Sequence, residues 1–278
     1  MTDQIEAFFG QLLEHKFKLY PLYAPAGGGK EFAGNKIRSH GRASSESLVC
    51  SSVLRERAAI RDDLGCQLAQ ALPLIAKGTM VSDELVCAAI FERILHRVQF
   101  GVRSFVCDGF PRNLEQLHWL QQFEKRAHTP VIGKHIFLCQ PFGRCLIQAL
   151  RIRPMSCKRE DATLEVFVGR WKEQFLALTL PLLTEILQKS PKKLAIVTSR
   201  EVHKVTDIAA AMGYRGKELS LFTQLISLLP EFGQGALRDD DEAVLEFVHT
   251  LSPTTHELSE VKRLLANDGL ADFRKLAS

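Results

Sequence analysis

The stretch from residue 104 to residue 116, Ser-Phe-Val-Cys-Asp-Gly-Phe-Pro-Arg-Asn-Leu-Glu-Gln, constrains the fold more tightly than any other part of the chain. Phe105-Val106-Cys107 is an apolar run fit for a buried strand. Asp108-Gly109 interrupts it, Pro111 fixes a turn, and apolar residues return at helical spacing from Leu114 to Phe123. The unit reads strand, loop, helix. A carboxylate at the end of a parallel strand, followed by a glycine that admits close backbone approach and an arginine with a rigid donor fork, can grip a phosphate and order the water around a metal ion. On spacing alone, a turn carrying a solvated Asp108 and Arg112 satisfies the same pattern.

A second unit of this kind lies nearer the N-terminus. Residues 16–23 alternate as a strand, although Pro21 withholds one ladder donor and makes this a poor central strand by propensity. Ala24-Pro25-Ala26-Gly27-Gly28-Gly29-Lys30 follows, and residues 31–38 suit a helix. Backbone N–H groups in such a turn, with the helix N-terminus behind them, can cradle phosphate while the lysine reaches its terminal oxygens. A flexible surface loop is the competing reading.

Elsewhere, residues 4–14 read as a short amphipathic helix, 41–47 as a link of small residues, and 135–139 and 194–198 as strands. Residues 167–186 read as a long helix kinked or broken at Pro181, and 202–212 as a closing helix. Strands alternating with helices predict an α/β fold, an open five-stranded parallel sheet with helices on both faces and ligands beyond the strands' C-terminal ends. A chain of 278 residues, 46% hydrophobic, can bury a full core for it. The net charge of +4 accommodates small anionic ligands without arguing for a nucleic-acid track or a membrane surface. Seven scattered cysteines, 50, 66, 87, 107, 139, 145 and 157, include no Cys-x-x-Cys pair, so neither a disulfide framework nor a zinc site is expected. With no run of ~18 apolar residues and no basic leader before Asp3 and Glu6, a cytoplasmic location is expected.

Asp108-Gly109-Phe110-Pro111-Arg112, with Gln116 four residues after the arginine, resembles the signature of the adenylate kinase family of nucleoside monophosphate kinases. The resemblance extends over about residues 18–212. Residues 24–32 are similar to the family's Gly-x-x-Gly-x-Gly-Lys-Gly-Thr loop, and residues 48–55 to its Ile-Ser-Thr-Gly-Asp-Leu-Leu-Arg segment. Lys77-Gly78-Thr79-Met80-Val81-Ser82-Asp83-Glu84 is similar to Lys-Gly-x-Leu-Val-Pro-Asp-Glu, and Arg153, Arg159 and Arg170 fit the arginine spacing of its short lid.

The resemblance implies a P-loop nucleoside-monophosphate-kinase-like domain over residues 1–212, with a monophosphate-binding subdomain at about 48–80, a short lid at about 153–161, and a helical extension over 213–278. It implies ATP contacts from Gly27, Gly28, Gly29, Lys30 and Arg153. Acceptor contacts would come from Cys50, Arg55, Met80, Val81, Gly109, Arg112 and Gln116, the last favouring AMP. Lys30, Arg112, Arg153, Arg159 and Arg170 would stabilise the transferring phosphoryl group, and Asp108 would act through water on the Mg2+ that accompanies ATP. The lid lacks a cysteine quartet, so no zinc is implied. Implied partners are ATP and a nucleoside monophosphate, with no nucleic acid and no membrane, and the helical tail offers a surface for a protein partner.

The donor side departs from the family's pattern. Ala24 replaces the first glycine of the loop, Glu31 the glycine after the lysine, and Phe32 the threonine. Ala149 stands where an adenine-stacking arginine is usual, and Cys50, in place of threonine, is a weaker donor. Two alternatives therefore remain open: a degenerate member that serves as a binding or interaction module, and the same chemistry on UMP or CMP.

Overall fold

The structure, a computed structural model, describes residues 2–76, 81–152, 163–198, 201–227 and 240–277. Five parallel strands, β1 (Lys18–Tyr23), β2 (Ser45–Val49), β3 (Ser104–Asp108), β4 (His135–Leu138) and β5 (Leu194–Val197), form one sheet in the order β2-β3-β1-β4-β5. The expected α/β class holds. Residues 45–47 correct the reading of 41–47 as a link. They open β2, with Ser45, Glu46 and Ser47 opposite Ser104, Phe105 and Val106. Serine and glutamate are poor strand formers, and pairing with β3, not local preference, extends them at the sheet edge.

Pro21 lies in the central strand despite its propensity, and the ladder explains how. Leu19 donates to the Val131 carbonyl and accepts from the Gly133 N–H, so the backbone groups of alternate residues, 19 and 21, face the β4 side. Pairing with β4 is discontinuous there. After the Leu19–Ile132 bridge, register resumes only at Leu22 with Ile136. The missing N–H of Pro21 falls in the gap.

Side chains alternate to the two faces. Leu19, Phe105 and Phe137 enter one core with α1 (Thr2–Leu12), α5 (Asp83–Gln99) and α6 (Leu114–Ala127), where Phe9 meets Phe91 edge-on at 4.8 Å. Tyr20, Leu22, Val106, Ile136 and Leu138 enter the other, against Ala33 and Ile37 of α2 (Lys30–His40) and Val205, Ile208 and Ala209 of α10 (Glu201–Ala211). Between β2 and α5 lie α3 (Cys50–Ala58) and α4 (Asp63–Ala76). Buried Arg57 pins this segment, bonding Asp62 through both terminal nitrogens and Glu92 through Nε.

Beyond β4, α7 (Phe142–Ile147) widens into a π-helical turn, Gln148–Ile152. The long helix around Pro181 does not break. From α8 (Leu164–Gly169) it loosens to π geometry over Arg170–Thr179 and tightens again as α9 (Leu180–Lys189), the widened turns carrying the chain to a residue that cannot donate.

The tail holds α11 (Gly216–Ser227), α12 (Asp241–Thr250), α13 (Thr255–Ala266) and α14 (Ala271–Ala277). Val244, Val248, Val261, Leu264, Leu270 and Phe273 join the same core as Leu19 and Phe105. Phe273 packs edge-on to Phe137 at 5.3 Å, and Trp171 Nε1 donates to the Asp268 carbonyl at 3.2 Å. Helices from 241 to 277 thus complete one core instead of decorating it. Leu264→Ala should cost about 2–5 kcal/mol and lower the midpoint of a single cooperative denaturant transition; an early transition of the tail alone would contradict this packing.

His135 opens β4 with its Nδ1 2.9 Å from the Tyr23 hydroxyl. Burial, with a smaller push from Lys193, lowers its pKa to about 3. The unfolded imidazole takes a proton near pH 6.5 and the folded one resists it, so this contribution to stability is complete above about pH 6.5. It is lost as the pH falls toward 3, by up to about 1.4 kcal/mol per pH unit. Unfolding free energies measured from pH 7.5 to 5 should fall in the wild type and flatten in His135→Gln.

Candidate functional site

Three loops leave the sheet at one edge. Asp108, the last residue of β3, lies opposite Leu22 of β1 and Val49 of β2, so the chain emerging after Tyr23, after Val49 and after Asp108 meets at the strands' C-terminal ends. The order also reverses here: β2 and β3 lie to one side of β1, β4 and β5 to the other. Ligand crevices of open parallel sheets form at such switch points.

The glycine loop is packed against its neighbours. Gly27 and Gly29 adopt φ of 76° and 83°, a region that disfavours side chains. A Cβ on Gly27 would also collide with the Cys145 carbonyl oxygen of α7 and come within 3.2 Å of the Ala149 Cβ. Gly28 donates to the Pro25 carbonyl at 3.0 Å, Gly29 caps α2, and Lys30 opens it, with Nζ turned back to the Ala24 carbonyl at 2.7 Å. Glu31 and Phe32 both lie on the exposed side of α2, Lys36 Nζ standing 5.3 Å from the Phe32 ring centroid.

Across from the loop, Cys50, Asp108, Gly109 and Arg112 form a second group. Cys50 is the first residue of α3, and burial pushes its thiol up to about 11 against the pull of Arg112 and with an added push from Asp108. At neutral pH it is a protonated, weakly donating thiol. Gly109 has φ of 81°, and a Cβ there would lie 3.1 Å from an Arg112 terminal nitrogen and 3.4 Å from the Cys50 Cβ.

Gln116 is buried and engaged. Its Oε1 accepts the Arg112 N–H at 2.8 Å and its Nε2 donates to Asp83 at 2.7 Å. Asn113 caps α6 by accepting the Gln116 N–H, and its own amide donates to the same Asp83 at 2.9 and 3.0 Å. This network ties the loop after β3 to the start of α5. Val81 is buried. Ser82 takes the N-cap position of α5 but makes no side-chain cap bond.

Arg55 is exposed on α3, on a different face from buried, Asp62-bound Arg57 two residues on. Arg170 is half-buried at the head of the π segment. Met80, Arg153, Arg159 and Cys157 lie outside the described residues, and with them the convergence expected of the lid arginines. The six described cysteines are free thiols.

Sequence reasoning missed Lys204. This α10 side chain is 5% exposed and places Nζ 3.2 Å from the Gly28 carbonyl oxygen. Beneath the loop, burial pushes the Cys145 thiol up to about 12 while Lys204, Lys30 and Arg144 pull the other way, so three cations gather there. Nothing near residue 204 in sequence marks it, because its partner is 176 positions away.

Among the described residues no group of three or more His, Cys, Asp or Glu is placed to hold a metal by itself. One carboxylate, Asp108, at the loop edge is a donor set that fits magnesium carried on nucleotide phosphates and keeping most of its waters. A cavity of about 450 Å³ lies at the opposite end of the sheet, where His135 opens β4 and Lys193 precedes β5, away from this chemistry. No helix among the described residues is long and apolar enough to cross a membrane.

The geometry defines an α/β protein of the P-loop nucleoside-monophosphate-kinase-like class. No family model matches the sequence. It is 28% identical over 168 residues to the adenylate kinase of Tropheryma whipplei (strain Twist), covering 60% of this chain and 83% of that one. The adenylate kinase of Prochlorococcus marinus (strain MIT 9211) is 31% identical over 135 residues, 49% of this chain and 66% of the other. That of Malassezia globosa is 32% identical over 122 residues, 44% and 46% of the two chains. These matches support a distant relationship to the adenylate kinase family.

Gly27→Ala should lower the melting temperature by the equivalent of roughly 2 kcal/mol or more, since backbone strain and the collision with the Cys145 carbonyl add. Gly10→Ala, with nothing within 4 Å of the added carbon in α1, should be neutral or stabilising.

Proposed function

We propose that the protein is a phosphotransferase that moves the terminal phosphoryl group of MgATP to AMP, giving two ADP. The observation that carries the reading is the meeting of the glycine loop with the Asp108–Gly109–Arg112 turn at adjacent strand ends, in a chain whose relatives carry the name adenylate kinase. Phosphoryl transfer proceeds through a loose transition state with charge spread over the oxygens, so catalysis is positioning and electrostatics.

Each group has a part in it. The N–H groups of Gly27, Gly29 and Lys30 and the N-terminus of α2 hold the donor phosphates, and Lys30 exchanges the Ala24 carbonyl for phosphate oxygen. Arg112 and exposed Arg55 hold the acceptor phosphate. Arg153, Arg159 and Arg170 close over the transferring group and exclude water, which would otherwise accept it. Asp108 would orient the waters of magnesium entering with ATP, and the cation would supply charge that offsets the phosphates. Glu31, the residue most at odds with a phosphate site, is exposed on α2.

Gln116 keeps one amide hydrogen and one lone pair beyond the bonds it makes, which supports adenine as the acceptor base. Its commitment to Asp83 and the Arg112 N–H favours a second reading, the same chemistry on UMP or CMP. A protein partner for the tail has its support in α11, where Leu221 and Leu225 are exposed. Free thiols suit the reducing cytoplasm as the place of action.

A coupled assay of ADP formation with AMP, UMP and CMP in turn tests the reading. Turnover should be greatest with AMP, and Lys30→Ala should lower kcat/KM about 10²–10³-fold. Equal inactivity of wild type and variant with every acceptor, and no rise in melting temperature with MgATP, would leave the binding or interaction module as the function.

A further inference from the structure

Resting on the nucleotide-binding reading above, we infer that Lys204 is a positioning residue that holds the glycine loop in the orientation needed for the donor's polyphosphate. Its Nζ reaches the Gly28 carbonyl oxygen at 3.2 Å from the α10 side. The Gly28 carbonyl and the Gly29 N–H belong to one planar trans peptide and point to opposite sides. Drawing the carbonyl toward α10 therefore turns the Gly29 N–H away from it.

An anion-binding loop requires that division. Carbonyl oxygens carry partial negative charge and must be kept off the phosphate, while N–H groups must face it. Lys30 restrains the carbonyl at the start of the loop, Ala24, at 2.7 Å, and Lys204 restrains one near its end. The two lysines differ in freedom. Lys30 is half-buried and can leave Ala24 for a phosphate oxygen, whereas Lys204, 5% exposed, is held beneath the loop. A Cβ on Gly29 would come 3.3 Å from Lys204 Nζ, so the ammonium borders the space that the absent side chain leaves.

The charge matters as well as the bond. A buried ammonium has given up much of its hydration, and a nearby anion offsets that cost. Lys204 adds its positive charge to those of Lys30 and Arg144 beneath the loop. A neutral side chain of the same length would leave the loop's backbone free to turn carbonyls toward the phosphate and would remove this charge.

Direct titration of MgATP, and separately of AMP, into wild type, Lys204→Met and Lys204→Arg tests the inference, with melting of each unliganded protein alongside. Lys204→Met should weaken MgATP binding tenfold or more, leave AMP affinity within about twofold and melt within a few degrees of wild type, and Lys204→Arg should recover part of the MgATP affinity. MgATP binding by Lys204→Met within twofold of wild type would overturn the inference while leaving the nucleotide reading intact. An equal loss of AMP affinity would overturn it too, as damage to the whole site. Absence of MgATP binding by the wild type would overturn the nucleotide reading and this inference with it. If Lys204→Met does not fold, Lys204→Gln takes its place under the same criteria.

Discussion

The pairing of β1 with β3 is the constraint on which the remaining architecture rests. Placing Leu22 opposite Asp108, in the middle of a five-stranded parallel sheet, brings a glycine loop and an aspartate–glycine–arginine turn from residues more than eighty apart to the same edge. Backbone ladders impose this register, and a slip of one residue would invert every side chain of β1 between the two cores. Leu19 on one face and Tyr20 on the other, both buried, make such a slip costly.

Two modes of support surround that edge. Under the glycine loop it is packing: α7 presses its backbone so closely that only glycine fits at position 27, and Lys204 rises from α10 against the Gly28 carbonyl. Under the turn after β3 it is a polar network, with Asp83 receiving both the Asn113 and Gln116 amides. A packed loop varies little in shape. A polar network can exchange partners. The glycine-loop side is thus the stiffer half and also the half that departs from the family's pattern, at Ala24, Glu31, Phe32 and Ala149.

The tail enlarges the core in place of adding a second one. Phe273 and Val244 lie in the same apolar cluster as Phe137 and Trp171, and Trp171 gives its only N–H to the Asp268 carbonyl. The helices on either side of residues 153–162 therefore have the tail packed behind them, α12 against α7 and α13 against both α7 and α8. The same region holds the π-helical turns at residues 148–152 and 170–179, where a widened helix lets side chains depart from α spacing.

Local pattern sufficed for the strand, loop and helix units around Gly27–Lys30 and Asp108–Gln116, because an apolar run, a glycine break and helical spacing are all short-range properties. The α/β class, the glycine positions, and the proximity of Asp108, Gly109 and Arg112 were legible for the same reason. Edge strand β2 was not, since Ser45–Ser47 take their conformation from β3, and neither was the tolerance of Pro21 in the central strand, which depends on a gap in its pairing with β4. Gln116 bound to Asp83, Arg57 locked to Asp62 and Glu92, and Lys204 against Gly28 are products of tertiary structure alone. The residues in each of these contacts choose their partners only after the sheet has assembled, whereas a strand followed by a glycine turn is written into a dozen consecutive residues.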